Sequence, residues 1–151
     1  KPPPLPTPPP EISLEEAEEI MGVPLMPKYL PAGYELRRCV VFSLDSPAYV
    51  GLCFSDEAIT EEPETTQGSG SSTCKIVLDV QQITRMPPPD IHERAAEQHG
   101  GRVVDINGTK GWLATGTHGS QLIWFQPGLL LDLYAKELSE QELVKIAESI
   151  K

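Results

Sequence analysis

Several things are scarce in this sequence, and each scarcity closes a class of function. No apolar run approaches the roughly 20 residues that a membrane-spanning helix needs, so none of its segments reads as a membrane span. Clustered positive charge is missing too: 12 Lys and Arg stand against 22 Asp and Glu, for a net charge of −10. Phosphate backbones and anionic lipid surfaces are recognised by clusters of Lys and Arg, so no nucleic-acid partner is expected. With three cysteines and no CxxC, a redox or zinc-knuckle reading has no support.

Catalytic signatures are also absent. There is no G-x-S-x-G elbow, no GxGxxG and no Walker sequence. His92-Glu93 begins like an HExxH zinc motif, but Ala96 stands where the second ligand belongs. His92 and His99 lie two helical turns apart, too far to chelate one ion from adjacent turns, and are read as exposed histidines on a polar helix. Gly116-Thr117-His118-Gly119-Ser120 reads as a turn between strands. The expectation is therefore no catalytic residue, no metal, no cofactor and no enzyme activity.

Proline is abundant where the chain starts: seven of the 16 prolines fall in KPPPLPTPPP. Such a run removes backbone donors and favours an extended polyproline II rod. Residues 1–12 are read as a linker or tether, and residues 13–151 as a single domain. Because the chain begins at Lys1 rather than Met, a signal peptide, lipid anchor or membrane helix is expected upstream. PxxP spacing offers an SH3-ligand alternative, which Lys1 does not suit.

The negative charge is local. Glu11, Glu15, Glu16, Glu18 and Glu19 form one run; Asp56, Glu57, Glu61, Glu62 and Glu64 form another, and removing both leaves 12 acids against 12 bases. The first run falls on a helix from about Ser13 to Met21, opened by a Ser13/Glu16 capping box and read as a solvated helix face. The second lies in 57–73, a segment whose composition reads as a flexible acidic surface loop rather than a calcium site, since it lacks an EF-hand's alternating ligands.

Elsewhere the pattern is that of strands. Tyr34 to Leu44 alternates, with Tyr34, Leu36, Val40, Phe42 and Leu44 on one face and Arg38 the exception. Further strands are expected over Tyr49–Ser55, Cys74–Ile83, Arg102–Ile106, Lys110–Thr115, Gln121–Gln126 and Leu129–Ala135. Asn107-Gly108 marks a hairpin turn. A two-turn helix follows Asp90 and ends at Gly100-Gly101. A last helix opens with a second capping box, Ser139 with Glu142, and carries an apolar stripe of Leu143, Ile146, Ala147 and Ile150. The fold class is thus α+β: a curved antiparallel sheet of six or seven strands, with the N- and C-terminal helices packed on one face.

Two sets of residues invite a functional reading. In a hairpin centred near Ser46, Cys39 and Cys53 lie opposite each other and could bridge; Cys53 and Cys74 could meet if their strands pair. A disulfide would fit an exported protein. Trp112, Trp124 and Tyr134 fall on three successive strands and could line one concave face able to hold an apolar ligand or peptide.

The segment Met26-Pro27-Lys28-Tyr29-Leu30-Pro31-Ala32-Gly33-Tyr34 resembles the P-x-Y-L-P-x-G-Y opening of an uncharacterised domain family. That family occurs in extracytoplasmic parts of bacterial membrane proteins and lipoproteins, some following a transmembrane helix and an anti-sigma-factor region. Val104 to Gly108 with Gly111, Leu122-Ile123-Trp124, and Leu138 to Leu143 leading to Ala147, Ser149 and Ile150 resemble its later blocks. The resemblance implies an extracytoplasmic, membrane-anchored sensory or interaction domain with a protein or cell-envelope ligand as partner. More remotely it implies a half-barrel like that of periplasmic lipoprotein carriers, hence a lipid or apolar-ligand carrier as the alternative. It brings no catalytic residues.

Overall fold

The computed structural model describes residues 11–44, 47–56, 74–117, 119–136 and 138–150. The proline-rich residues 1–10 and the acidic segment 57–73 lie outside them. In chain order the elements are β1 (Glu11–Ile12), α1 (Leu14–Met21), β2 (Glu35–Ser43), β3 (Tyr49–Ser55), β4 (Ile76–Gln82), α2 (Ile91–His99), β5 (Arg102–Ile106), β6 (Thr109–Gly116), β7 (Gly119–Gln126), β8 (Leu129–Ala135) and α3 (Glu140–Glu148). The strands form one open, curved antiparallel sheet in the order β1-β2-β3-β4-β8-β7-β6-β5. Among the described residues it has eight strands, more than the six or seven expected. The extra one is β1: Glu11 and Ile12, assigned to the tether by composition, pair with Val40 and Cys39. Two residues cannot show a period, so this strand has no sequence signature.

One face of the sheet, the inner face, carries the core. Cys39 and Val41 of β2, Val50, Leu52 and Phe54 of β3, and Leu78 and Val80 of β4 are buried there, continued by Leu131 and Leu133 of β8 and by Leu122 and Trp124 of β7. α1 contributes Ala17 and Met21, and α3 contributes Leu143, Ile146 and Ala147. Both terminal helices therefore cover the same face, each using its apolar stripe. α2 lies on the opposite, outer face, where His92 packs against Phe125 with ring centroids 5.5 Å apart.

The alternation in β2 is broken, which corrects the expected facing. Leu36 pairs with Phe54 on the inner side, but irregularities between Leu36 and Arg38 and between Val41 and Ser43 each shift the register. A bulge sends the following residues to the other face. Cys39 and Val41 consequently point into the core, while Phe42 turns outward and is 45% exposed.

The helix ends follow the predicted chemistry in part, and Asp90, expected to cap α2, makes no side-chain cap bond to it. Ser13 and Glu16 form the complete capping box of α1, and Gly22 ends the helix at φ 76°. Ser139 Oγ accepts from the Glu142 N–H at 3.2 Å, but the Glu142 carboxylate does not reach back, because it accepts from the Tyr29 hydroxyl at 2.6 Å. Part of the acidic run on α1 is structural rather than merely solvated: Glu18 Oε2 accepts from the Leu25 N–H at 2.8 Å.

Candidate functional site

The middle of the outer face holds two carboxylates. Asp79 of β4 and Asp132 of β8 are direct cross-strand partners, so both side chains leave the same side of the sheet. The row they belong to runs Val40, Gly51, Asp79, Asp132, Ile123, Trp112 across six strands. Each carboxylate has a diagonal polar neighbour. Gln121 Nε2 donates to both oxygens of Asp132, at 3.0 and 3.1 Å, and the Tyr49 hydroxyl hydrogen-bonds Asp79.

Gly51 makes this arrangement possible. A Cβ there would stand 2.8 Å from the Phe42 ring and 3.0 Å from Asp79 Oδ1. Without one, Phe42 lies over the glycine and meets Tyr49 edge-on, with centroids 4.7 Å apart. The carboxylates are thus walled by aromatic rings and removed from much of the water that would stabilise their charge. Burial, joined by the negative charge of Asp132, pushes Asp79 up to about 7. Burial raises Asp132 as well, against the Gln121 hydrogen bond. The same two acids, after burial, raise Tyr49 to about 12. Two acids this close titrate as a pair.

The predicted site residues do not assemble as expected. Trp124 is paired with Leu131 and Gly111, faces inward and is 1% exposed. Trp112 and Tyr134 face outward, by their pairing with Ile123 and Gln121. The three rings therefore cannot line one concave face: Trp112 and Trp124 are an even number of residues apart, but they sit on different strands, and the register puts them in neighbouring rows of opposite orientation. Trp124 fills the core where a carrier would need a hollow. Trp112 is held by α2, its Nε1 donating to the Gly100 carbonyl at 2.8 Å. An open cleft of about 400 Å³ lies elsewhere, at the β1–α1–β2 edge, and its lining includes Glu11, Glu16, Arg37 and Arg38.

The disulfide is also different. Cys53 is bonded to Cys74, with Cα atoms 5.5 Å apart, and Cys39 is free and buried. The hairpin has the predicted centre at the Ser43–Tyr49 pair, but the irregularity beside Val41 displaces the register by one residue. Cys39 then sits opposite Leu52 on the inner face and Cys53 opposite Arg38 on the outer. Burial, followed by the charges of Glu18, Glu15 and Glu11, pushes the Cys39 thiol up to about 11.

Of the two described histidines, His92 is packed and His99 is exposed. His92, expected on an exposed helix surface, is 5% exposed, and burial lowers its pKa. Its neighbour Glu93 is tied to Lys110 at 2.7 Å. Among the described residues no three His, Cys, Asp or Glu side chains gather as a metal ion would require, and no helix is long and apolar enough to cross a membrane. His118 lies outside the described residues.

Residues 24–150 match a protein family described as a domain of unknown function, DUF4367. The chain belongs to this family. The match takes in the proline-rich segment after α1, the sheet from β2 onward and α3, so the DUF4367 region includes both outer-face aspartates and the disulfide. A search of curated proteins finds no match.

The structure explains why the opening and closing blocks of the DUF4367 region belong together. Tyr29 donates its hydroxyl to Glu142 and its backbone N–H to Ser149 Oγ at 3.1 Å, and Lys145 Nζ stands 4.8 Å from the Tyr29 ring centre. Lys28 adds a backbone bond to the Ser149 carbonyl, and Pro31 accepts from the Tyr34 N–H to close the turn at Gly33. The opening segment is a clasp that holds α3 against the sheet.

Proposed function

We propose that the chain is a non-enzymatic, extracytoplasmic interaction domain of a membrane-anchored bacterial protein, which holds a protein or cell-envelope partner on the outer face of its sheet. The observation that carries the location is the Cys53–Cys74 bridge, because such bonds persist in oxidising compartments and are rare in the cytosol. The outer face is favoured because, among the described residues, α2 covers only its β5–β7 end, and Phe42, beside the half-buried Asp79–Asp132 pair, is 45% exposed. An aromatic and aliphatic rim around a few polar groups suits recognition of a partner. The anti-sigma-factor association implied by the opening motif fits a sensory role in the same compartment.

The test is made in cells with the full-length protein. Thiol trapping should find Cys53 and Cys74 oxidised in freshly isolated protein, and a photo-crosslinker placed at Phe42 should give a discrete adduct. The same probe at Met86, which is 51% exposed on the segment before α2, should give none. Two free thiols would remove the basis for the location, and equal labelling from both positions would remove the basis for the face.

A further inference from the structure

The sheet is built from two halves. β1 to β4 are joined in sequence order, as are β5 to β8, and among the described residues the ladder that connects the halves is β4–β8. Asp79 and Asp132 face each other across that ladder. The groups around them come from every neighbouring strand. β3 presents Tyr49 and Gly51; β2 presents Phe42, with Arg38 farther along and paired to Glu11 at 3.3 Å. β4 and β8 add Val77, Gln81, Leu130 and Tyr134, and β7 adds Gln121 and Ile123. Across the sheet, α2 has His92 on Phe125 and Glu93 on Lys110. None of these cations acts on either aspartate; the charge that Asp79 experiences is that of Asp132.

We propose that Asp79 and Asp132 hold one proton between them and so form a pH-sensitive latch between the two halves of the sheet. With the proton bound, the O–H of one carboxyl donates to the oxygen of the other and the pair carries one negative charge. When the proton leaves to water, two like charges stand directly opposite on adjacent strands, an arrangement that destabilises a ladder. This does not depend on what binds the outer face.

The sign follows from the two states. An aspartate in the unfolded chain titrates near 4, and Asp79 in the fold titrates at about 7. The folded state therefore binds more protons between these limits. Stability is fully present below about pH 4 and is lost as pH rises to about 7, beyond which the pair adds no further dependence.

The test uses the complete chain. Carboxyl-carbon NMR of the unaltered protein should show one of the two aspartates titrating near 7. Urea unfolding should find the folding constant falling on the order of a hundredfold between about pH 4 and about pH 7, with β4–β8 amides losing exchange protection before those of β2–β3. Asp132→Asn should weaken that dependence, since it takes away the second charge and offers an amide donor to Asp79, leaving the part due to burial; Asp79→Asn, which removes the raised group itself, should abolish most of it. Both carboxyl carbons titrating near 4 would overturn the proposal, as would parallel pH profiles for either variant and the unaltered chain.

Discussion

Two neighbouring rows of the same sheet show how differently its faces are built. The inner row runs Cys39, Leu52, Leu78, Leu133, Leu122, Leu113, and its five leucines are at most 1% exposed. One residue along each strand, the outer row runs Val40, Gly51, Asp79, Asp132, Ile123, Trp112. The backbone ladders are shared, so hydrogen bonding does not distinguish them. The inner row gains its stability from apolar burial beneath α1 and α3, whereas the outer row places two carboxylates where their charge is poorly solvated. Stability is concentrated on one side of the sheet, and titratable chemistry on the other.

The sharpest way to break this contrast is to truncate one residue from each row. Leu133→Ala should lose about 3 to 4 kcal/mol, since it opens a cavity in the closely packed core beside α3. Ile123→Ala, on the partly exposed outer row, should lose about 1 kcal/mol. Urea unfolding of both variants measures the difference, and equal losses would show that the outer face is as tightly packed as the inner.

A second, smaller effect concerns the covalent link between β3 and β4. The Cys53–Cys74 bridge spans 21 residues of sequence, and closing a loop of that size contributes about 3 kcal/mol by restricting the unfolded chain. Cys53→Ser should therefore lower stability by about that amount without altering the inner row. Cys39 provides the internal comparison: its raised thiol pKa and burial should leave it unalkylated in the native protein and reactive only after unfolding. Rapid native labelling of Cys39 would mean that the inner face opens near β1.

How much of this the sequence revealed depends on the physics behind each feature. Seven of the strands, the two terminal helices and the Ser13 and Ser139 caps follow from period and capping chemistry, which act within a few residues. β1 is too short for a period. The facing of β2 is not legible because two register shifts leave no mark in composition, and the one beside Val41 moves Cys39 away from Cys53. Asp79 and Asp132 carry no joint signature for a related reason. Each sits singly in an apolar strand, Val-Leu-Asp-Val and Leu-Leu-Asp-Leu, and only the pairing of β4 with β8, made by chain segments far apart in sequence, brings them together. A charged residue inside a hydrophobic strand is the one local signal of this pair, whereas the acidic runs dominate the net charge.

The smallest effect tests whether polar side chains on the inner side serve only to hold its cover in place. Ser139 caps α3 through the Glu142 N–H, and Glu142 is itself engaged by Tyr29. Ser139→Ala removes one acceptor at the helix start and should cost about 1 kcal/mol, less than either leucine truncation or bridge removal. Because α3 remains clasped by the Tyr29 contacts at both Glu142 and Ser149, the loss should appear as a lower unfolding midpoint with an unchanged denaturant slope. A reduced slope would mean that α3 leaves the sheet before the rest unfolds. In that case the inner row would have to be regarded as covered by a separable lid, and its contrast with the open outer row would be one of degree.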